Sequence, residues 1–141
     1  MTASLYRVTV QWGDCDPARI VFYPNFFRWF DAATRNLFEA NGLAWAELFE
    51  RYGTRGLPLV DAGATFRSPA RFGDTLEIET ALRRWGTRSF ELRHTARVGA
   101  TVAVEGRETR IWGISDPAAS EGLKAGAIPA EVKARIPAAS P

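Results

Sequence analysis

Two aspartates one residue apart, Asp14 and Asp16, stand just ahead of Pro17, and a further proline, Pro24, opens the most apolar helical pattern in the chain. Both carboxylates can be read as loop residues that cap turns. Asp16 can also be read as a catalytic acid. Its neighbour Pro17 pushes it towards extended backbone angles, because the ring clashes with a helical residue before it. Pro24 arrives with φ already near the helical value and fixes how the chain enters the helix. The first turn of a helix has amides without intrahelical acceptors and carries a positive partial charge, so it forms a ready site for an oxyanion. An acid facing such a site is the outline of an acyl-transfer or hydrolysis centre. There the backbone N–H of Tyr23 would polarise an ester or thioester carbonyl. Asp16 would either attack that carbonyl, giving an anhydride, or deprotonate a water. Neither route requires a metal, and Trp12, Phe22 and Phe27 are placed to surround the acid with apolar surface.

Other chemistry-bearing residues fit less well. Cys15 lies between two carboxylates that oppose thiolate formation and has no local base, so it reads as a spacer. His94, the one histidine, alternates in step with Leu92 and Ala96 and reads as a hydrogen-bonded core residue. There is no nucleophile-elbow glycine pattern for a serine triad, and one histidine with one cysteine cannot supply a usual metal ligand set. Asp31 sits on the flank of the apolar helix stripe. It either pairs with Arg35 on the surface, at i,i+4, or stands at a pocket rim and recognises a polar substituent on an acyl group. Arg83, Arg84, Arg88, Arg93 and Arg97 make a cationic face, on which Arg88 beside a turn is best placed to grip a phosphate. No Gly-rich phosphate loop is present.

The elements that must hold these residues follow from periodicity. Leu5 to Trp12 alternates as a half-buried strand. Asn25 to Asn41 is a helix closed by Gly42, with Phe26, Phe30, Ala33, Leu37 and Ala40 on one stripe widened by Phe27, Trp29 and Phe38. Leu43 to Tyr52 suits a second, shorter helix. Strands then follow at Leu57–Arg67, Thr75–Trp85, Phe90–Val98 and Thr101–Ile114, the last three joined by short turns into an antiparallel meander. From 115 to 141 the chain is rich in Ala, Pro and Gly and reads as a surface tail with at most one helical turn near Ala130–Arg135. An α+β domain in which one sheet curls around one very apolar helix is the simplest layered solution. With 141 residues, 46% hydrophobic content and a net charge of +2, a single domain is expected over 1–141. The weak, scattered basic balance argues against a nucleic-acid partner, and no apolar run reaches membrane-spanning length. A single cysteine excludes an intrachain disulfide, and the expected address is cytoplasmic.

The run from Trp12 to Ala18, continued by Ile20–Asn25 and Trp29–Ala32, closely resembles the hotdog-fold acyl-CoA thioesterases, and among them the 4-hydroxybenzoyl-CoA thioesterase branch. Looser similarity covers Phe66–Pro69, Gly73–Asp74 and Arg88–Phe90. The resemblance implies a hotdog fold, a long central helix wrapped by a five-stranded antiparallel sheet, paired into dimers or tetramers with active sites at subunit interfaces. It implies acyl-CoA as substrate, with coenzyme A as part of the substrate and no separate cofactor. By position, Asp16 would be the catalytic carboxylate and the Tyr23 N–H the oxyanion donor. Phe22, Pro24 and Phe27 would flank the acyl group, Asp31 would sit near a ring hydroxyl, and Arg88 with Ser89 near the coenzyme A phosphates. The chain departs from the family in carrying Arg19 where glycine is common, Leu57 where a threonine meets the acyl group, and Gly86 and Thr87 in place of cations. The alternatives are an aliphatic short-chain thioesterase, for which Tyr23 replaces a usual histidine, and a non-catalytic acyl-CoA or acyl-carrier binding module.

Overall fold

A computed structural model describes residues 2–140. Strand β1 (Ala3–Thr9) leads through a single 3₁₀ turn (Trp12–Asp14) and a loop into helix α1 (Pro24–Ala40), followed by α2 (Trp45–Tyr52). Four strands come next, β2 (Leu59–Phe66), β3 (Thr75–Trp85), β4 (Ser89–Val98) and β5 (Thr101–Ile111). A small hairpin of β6 (Gly113–Ser115) and β7 (Leu123–Ala125) precedes the last helix, α3 (Ala130–Arg135). All pairings in the main sheet are antiparallel and its order is β1-β3-β4-β5-β2, so β1 and β2 form the two edges.

Alternation in β3 and β4 dictates this arrangement. Leu76, Ile78, Leu82, Phe90, Leu92 and Ala96 are buried on the face towards α1, while Arg83, Arg84 and Arg93 face away. The helix answers with Phe26, Trp29, Phe30, Ala33, Leu37 and Phe38, all buried; Ala40, at the end of the expected stripe, is exposed. A seven-residue strand and its partner fix the near edge, with Leu5 opposite Glu79 and Val8 opposite Leu76. Under the middle of α1, Gly106 of β5 leaves room for the Phe30 ring: a Cβ built there would meet a ring carbon at 2.5 Å. Phe30 in turn stacks flat on the His94 imidazole, with ring centroids 4.5 Å apart.

A polar seam crosses this core. The inward positions of β3, β4 and β5 carry Thr80, His94, Glu108 and Arg110, and α1 contributes Thr34; all five are buried. Thr80 Oγ1 lies 2.7 Å from His94 Nδ1, Thr34 Oγ1 donates to Glu108 Oε1 at 2.7 Å, and Arg110 Nε donates to the same oxygen at 3.0 Å. His94 Nε2 stands 3.4 Å from Glu108 Oε1, so the tautomer with its proton on Nε2 satisfies both ring nitrogens. The expectation of a core, hydrogen-bonded His94 holds.

The expectation of a surface tail from residue 115 onward gives way to a packed segment. Ile128, Val132 and Ile136 are 6%, 0% and 0% exposed and join Leu37, Phe38, Leu48, Leu82 and Trp112 in a second core cluster. The Trp85 indole N–H donates to the Ile136 carbonyl at 2.7 Å, and the Ala139 N–H to the Leu82 carbonyl at 2.8 Å. Three apolar residues spaced by four among Ala and Pro are enough to close one end of the core once a hairpin turns the chain back over it.

Candidate active site

The two aspartates of the loop are held to different degrees, although both bond backbone amides of the loop. Asp14 is structural. Its Oδ2 accepts the Gln11 N–H at 2.8 Å and its Oδ1 faces Arg28 Nη2 at 3.3 Å. Its carbonyl accepts both the Phe22 N–H (2.9 Å) and the Asn25 side-chain amide (2.8 Å), which fastens the loop to the start of α1. Asp16 is half-buried, and only the Ala18 N–H bonds its carboxylate, on Oδ1 at 2.8 Å. A tight turn holds it: the Asp16 N–H donates to Ile20 O at 3.0 Å and the Arg19 N–H to Asp16 O at 2.8 Å. That turn makes Arg19 the one non-glycine residue, among those described, with a positive φ, at 66°. A glycine would adopt this backbone without the Cβ strain that Arg19 carries. Cys15 sits on the opposite side of the loop with its thiol directed at Gln11 O, 3.8 Å away.

At the helix start Pro24 has no N–H to offer, and the amides of Asn25 and Phe26 are spent on Phe22 O and Tyr23 O. The Tyr23 N–H finds no acceptor among the described residues. Tyr23 and Asp16 line one cavity of about 430 Å³, together with Ile20, Val21, Phe26, Phe66 and the Arg67–Ala70 turn. The walls are mostly apolar, and Phe66 makes edge contacts with both Tyr23 and Phe26. A carboxylate with one oxygen unbonded among the described residues, the residue that starts the helix and an apolar wall therefore share one opening.

The remaining candidates distribute differently. Phe22 is 49% exposed and points out of the core, and Pro24 is exposed at the first helical position. Phe27 is half-buried against Phe30. Of the expected enclosure of Asp16 by Trp12, Phe22 and Phe27, Trp12 shares a smaller cavity with it and Phe72, while Phe22 and Phe27 give way to Phe26, Phe66 and Pro69 in the larger one. Phe66 and Pro69, carried by a motif two strands away in sequence, could have been read as pocket residues from their place beside the Ser68 turn.

Asp31 does not pair with Arg35, which reaches Glu39 instead at 3.5 Å. Its Oδ1 accepts a 2.7 Å hydrogen bond from Arg110 Nη2. A long-range partner on β5 outcompetes the local one because Arg110 is already held in place by Glu108. The Leu57 side chain is 5% exposed and packs in the second core cluster, so it lines no cavity; its carbonyl accepts from Arg110 Nη1 at 3.0 Å. Arg88 and Ser89 open β4, where Ser89 stands opposite Ile111, and Arg88 makes no ion pair among the described residues. Asp31, Leu57, Arg88 and Ser89 thus gather at the end of the sheet where β2 begins, while Asp16 and Tyr23 sit where β2 ends, at Phe66.

Electrostatically the Glu108 pocket is the most perturbed region. Burial works against the Glu108 carboxylate, but hydrogen bonds from His94 and Arg110 outweigh it and hold its pKa down at about 2. Arg110 is likewise disfavoured by burial and more than compensated by Glu108 and Asp31, so its guanidinium stays charged.

Comparison with known proteins agrees with this geometry. A family model described as the thioesterase-like superfamily matches residues 10–136. The 4-hydroxybenzoyl-CoA thioesterase of Pseudomonas sp. (strain CBS-3) is 37% identical over 128 residues, covering 86% of this chain and 89% of that protein. Its solved structure superposes with a TM-score of 0.87 at 34% identity, over 96% of this chain and 99% of that one. A gentisyl-coenzyme A thioesterase structure matches with a TM-score of 0.81 at 32% identity, over 92% and 99%. A 1,4-dihydroxy-2-naphthoyl-CoA hydrolase of Prochlorococcus marinus (strain MIT 9303) is 32% identical over 107 residues, 70% of each chain. With the five-stranded antiparallel sheet, the helix laid across it and these matches, the chain belongs to the thioesterase-like superfamily and has its hotdog fold.

Proposed function

We propose that this protein hydrolyses acyl-CoA thioesters carrying an aromatic acyl group, releasing the free acid and coenzyme A. The observation that carries the reading is the cavity lined by both Asp16 and Tyr23, whose N–H makes no hydrogen bond among the described residues. A thioester carbonyl seated there accepts a hydrogen bond from Tyr23. As its carbon becomes tetrahedral the oxygen gains charge, so this donor and the helix terminus bind the transition state more strongly than the substrate. Asp16 then takes one of two routes. As a nucleophile it attacks the carbonyl carbon, the C–S bond breaks, coenzyme A leaves as thiolate, and water hydrolyses the mixed anhydride. As a general base it takes a proton from water while the hydroxyl adds, and returns that proton to the departing sulfur. Coenzyme A enters as part of the substrate, and no other cofactor is invoked.

An aromatic acyl group suits the wall made by Phe26, Phe66 and Pro69, where rings pack edge to face. The relatives support this class: by name they act on 4-hydroxybenzoyl, gentisyl and dihydroxynaphthoyl thioesters.

The working unit is a homo-oligomer built on β2. This strand is an edge of the sheet, carries one charged residue, Asp61, and exposes Leu59, Val60 and Phe66 at 46%, 58% and 50%. Long edges with so little charge are ones that proteins cover. A second copy pairing antiparallel across a two-fold axis would extend the sheet and hide both edges. It would also set the start of one β2 beside the end of the other. The Asp31, Leu57, Arg88 and Ser89 end of one chain then approaches the partner's Asp16.

A hydrolysis panel of benzoyl-, hydroxybenzoyl-, phenylacetyl- and short aliphatic-CoA tests the proposal. Turnover is expected to be fastest with the aromatic esters, and Asp16→Asn should lose it while still binding the thioester. Binding with no turnover by the native chain would make the protein a carrier instead. Label from heavy-oxygen water appearing in the Asp16 carboxylate after a single turnover would assign the nucleophilic route.

A further inference from the structure

Asp16 stands between two cavities. The larger, of about 430 Å³, it shares with Tyr23; the smaller, of about 120 Å³, it shares with Trp12, Cys15, Arg19 and Phe72, and it is the one described residue that lines both. Size separates their occupants. Small-molecule pockets run to roughly 300–1,000 Å³, so the larger cavity admits an acyl group and the smaller does not. A water takes up about 30 Å³ of the liquid and needs two or more polar partners, so the smaller cavity has room for a few. Trp12, Arg19 and Phe72 are exposed, so this cavity opens to solvent. Its polar groups are unspent. Asp16 Oδ1 accepts the Ala18 N–H, and Oδ2 accepts nothing among the described residues. Arg19 follows three residues later, yet its guanidinium makes no ion pair or hydrogen bond among them. That side chain is carried on a strained backbone, at φ 66°, where a glycine would sit without strain. Strain kept beside a reactive group points to work done by the side chain that imposes it. A carboxylate only accepts and a guanidinium only donates, so whatever bridges them must do both, as water does.

We propose that the smaller cavity is the water inlet of the site and that Arg19 holds the entering water against Asp16. This rests on the thioesterase reading. A thioester filling the larger cavity expels solvent from that side, and the inlet supplies water from the other. The inlet serves either route. With Asp16 as base, the water gives it a proton while the water oxygen bonds the thioester carbon; the C–S bond breaks and the proton passes to the sulfur. With Asp16 as nucleophile, the water adds to the anhydride left after coenzyme A departs. The anhydride C–O bond then breaks, returning the Asp16 carboxylate and the free acid, and the spare proton goes to the coenzyme A thiolate.

The test follows the best ester of the hydrolysis panel in water containing methanol. It reads KM, the single-turnover rate of acid formation, the ratio of methyl ester to free acid, and the melting temperature. Arg19→Gly removes both the strain and the guanidinium. It should melt slightly higher than the native protein, yet form acid roughly tenfold more slowly or worse, with KM unchanged. Methanol, no longer outcompeted by a held water, should claim a severalfold larger share of the product. Arg19→Lys keeps a charged donor and should recover much of the rate, whereas Arg19→Ala should not. Phe72→Ala widens the mouth and leaves Arg19 in place, so it should raise the share of methyl ester by itself. A native-like rate and product ratio in Arg19→Gly overturn the proposal and leave the thioesterase reading intact. An effect confined to KM places Arg19 against the thioester and overturns it equally. Failure of the native protein to hydrolyse any acyl-CoA removes the thioesterase reading, and the proposal with it.

Discussion

The start and the middle of α1 handle carboxylates in opposite ways. At its start, Asp16 keeps most of its hydrogen-bonding capacity open, next to an amide that is equally unspent and above a wall of aromatic rings. Beneath its middle, Glu108 is sealed and fully matched: Thr34, His94 and Arg110 converge on it. Among buried side chains of the described residues, only Ser4 and Trp45 have a polar atom without a partner, and neither belongs to that seam's hydrogen bonds. Completing every bond yields rigidity, whereas leaving two bonds open yields a place for a substrate. The first region is where chemistry is affordable, and the second is what keeps its surroundings still.

The comparison breaks most visibly at Asp16. Replacing it by Asn keeps the acceptor for the Ala18 amide, so thermal stability should change little while hydrolysis falls by roughly 10²–10⁴-fold. Thioesterase assays paired with melting curves check both halves. The mirror experiment is Glu108→Ala, which strands Arg110 and should destabilise the fold by about 3–5 kcal/mol, read by denaturant unfolding. The seam also sets an acid limit. Glu108 is held at about 2 against an ordinary 4.5, so the stability it contributes is complete above about pH 4.5 and is lost as pH falls from there through about 2. Unfolding free energies measured across that window should slope in the native chain and flatten in a Glu108→Gln variant. Gly106→Ala forces a methyl into the Phe30 ring and should cost about 1–3 kcal/mol, displacing the ring from His94. Smallest is Arg19→Gly, which relieves a left-handed residue in the Asp16 loop and should stabilise by about 1 kcal/mol.

Local signals in the chain were strong where one face alternates cleanly. The β3 boundaries, Thr75 to Trp85, and the α1 stripe follow directly from periodicity, as does the burial of His94 and Thr80. That Asp16 and Tyr23 share a cavity was legible because prolines constrain the backbone near both. The partner of Asp31 was not, since Arg110 lies 79 residues away and only the sheet register brings them together. A signal did exist: Glu108 and Arg110 share one parity with Gly106, so two charges fall on an inward face. Reading it was hindered by register shifts at Leu82/Arg84 and Ala96/Arg97, where alternation resets. The contact of Leu57 was hidden for a related reason: its side chain is buried, and its backbone carbonyl, which residue identity does not show, is what accepts from Arg110.

The C-terminal segment has a consequence for how this enzyme ages. Ile128, Val132 and Ile136 lie in the same cluster as Leu57, whose carbonyl steadies Arg110, while the Asp16 loop is built on the other cluster. A protease that clips the chain after Lys124 would loosen the end of the sheet around Leu57 and Arg110 first. The cluster beneath the Asp16 loop would outlast it.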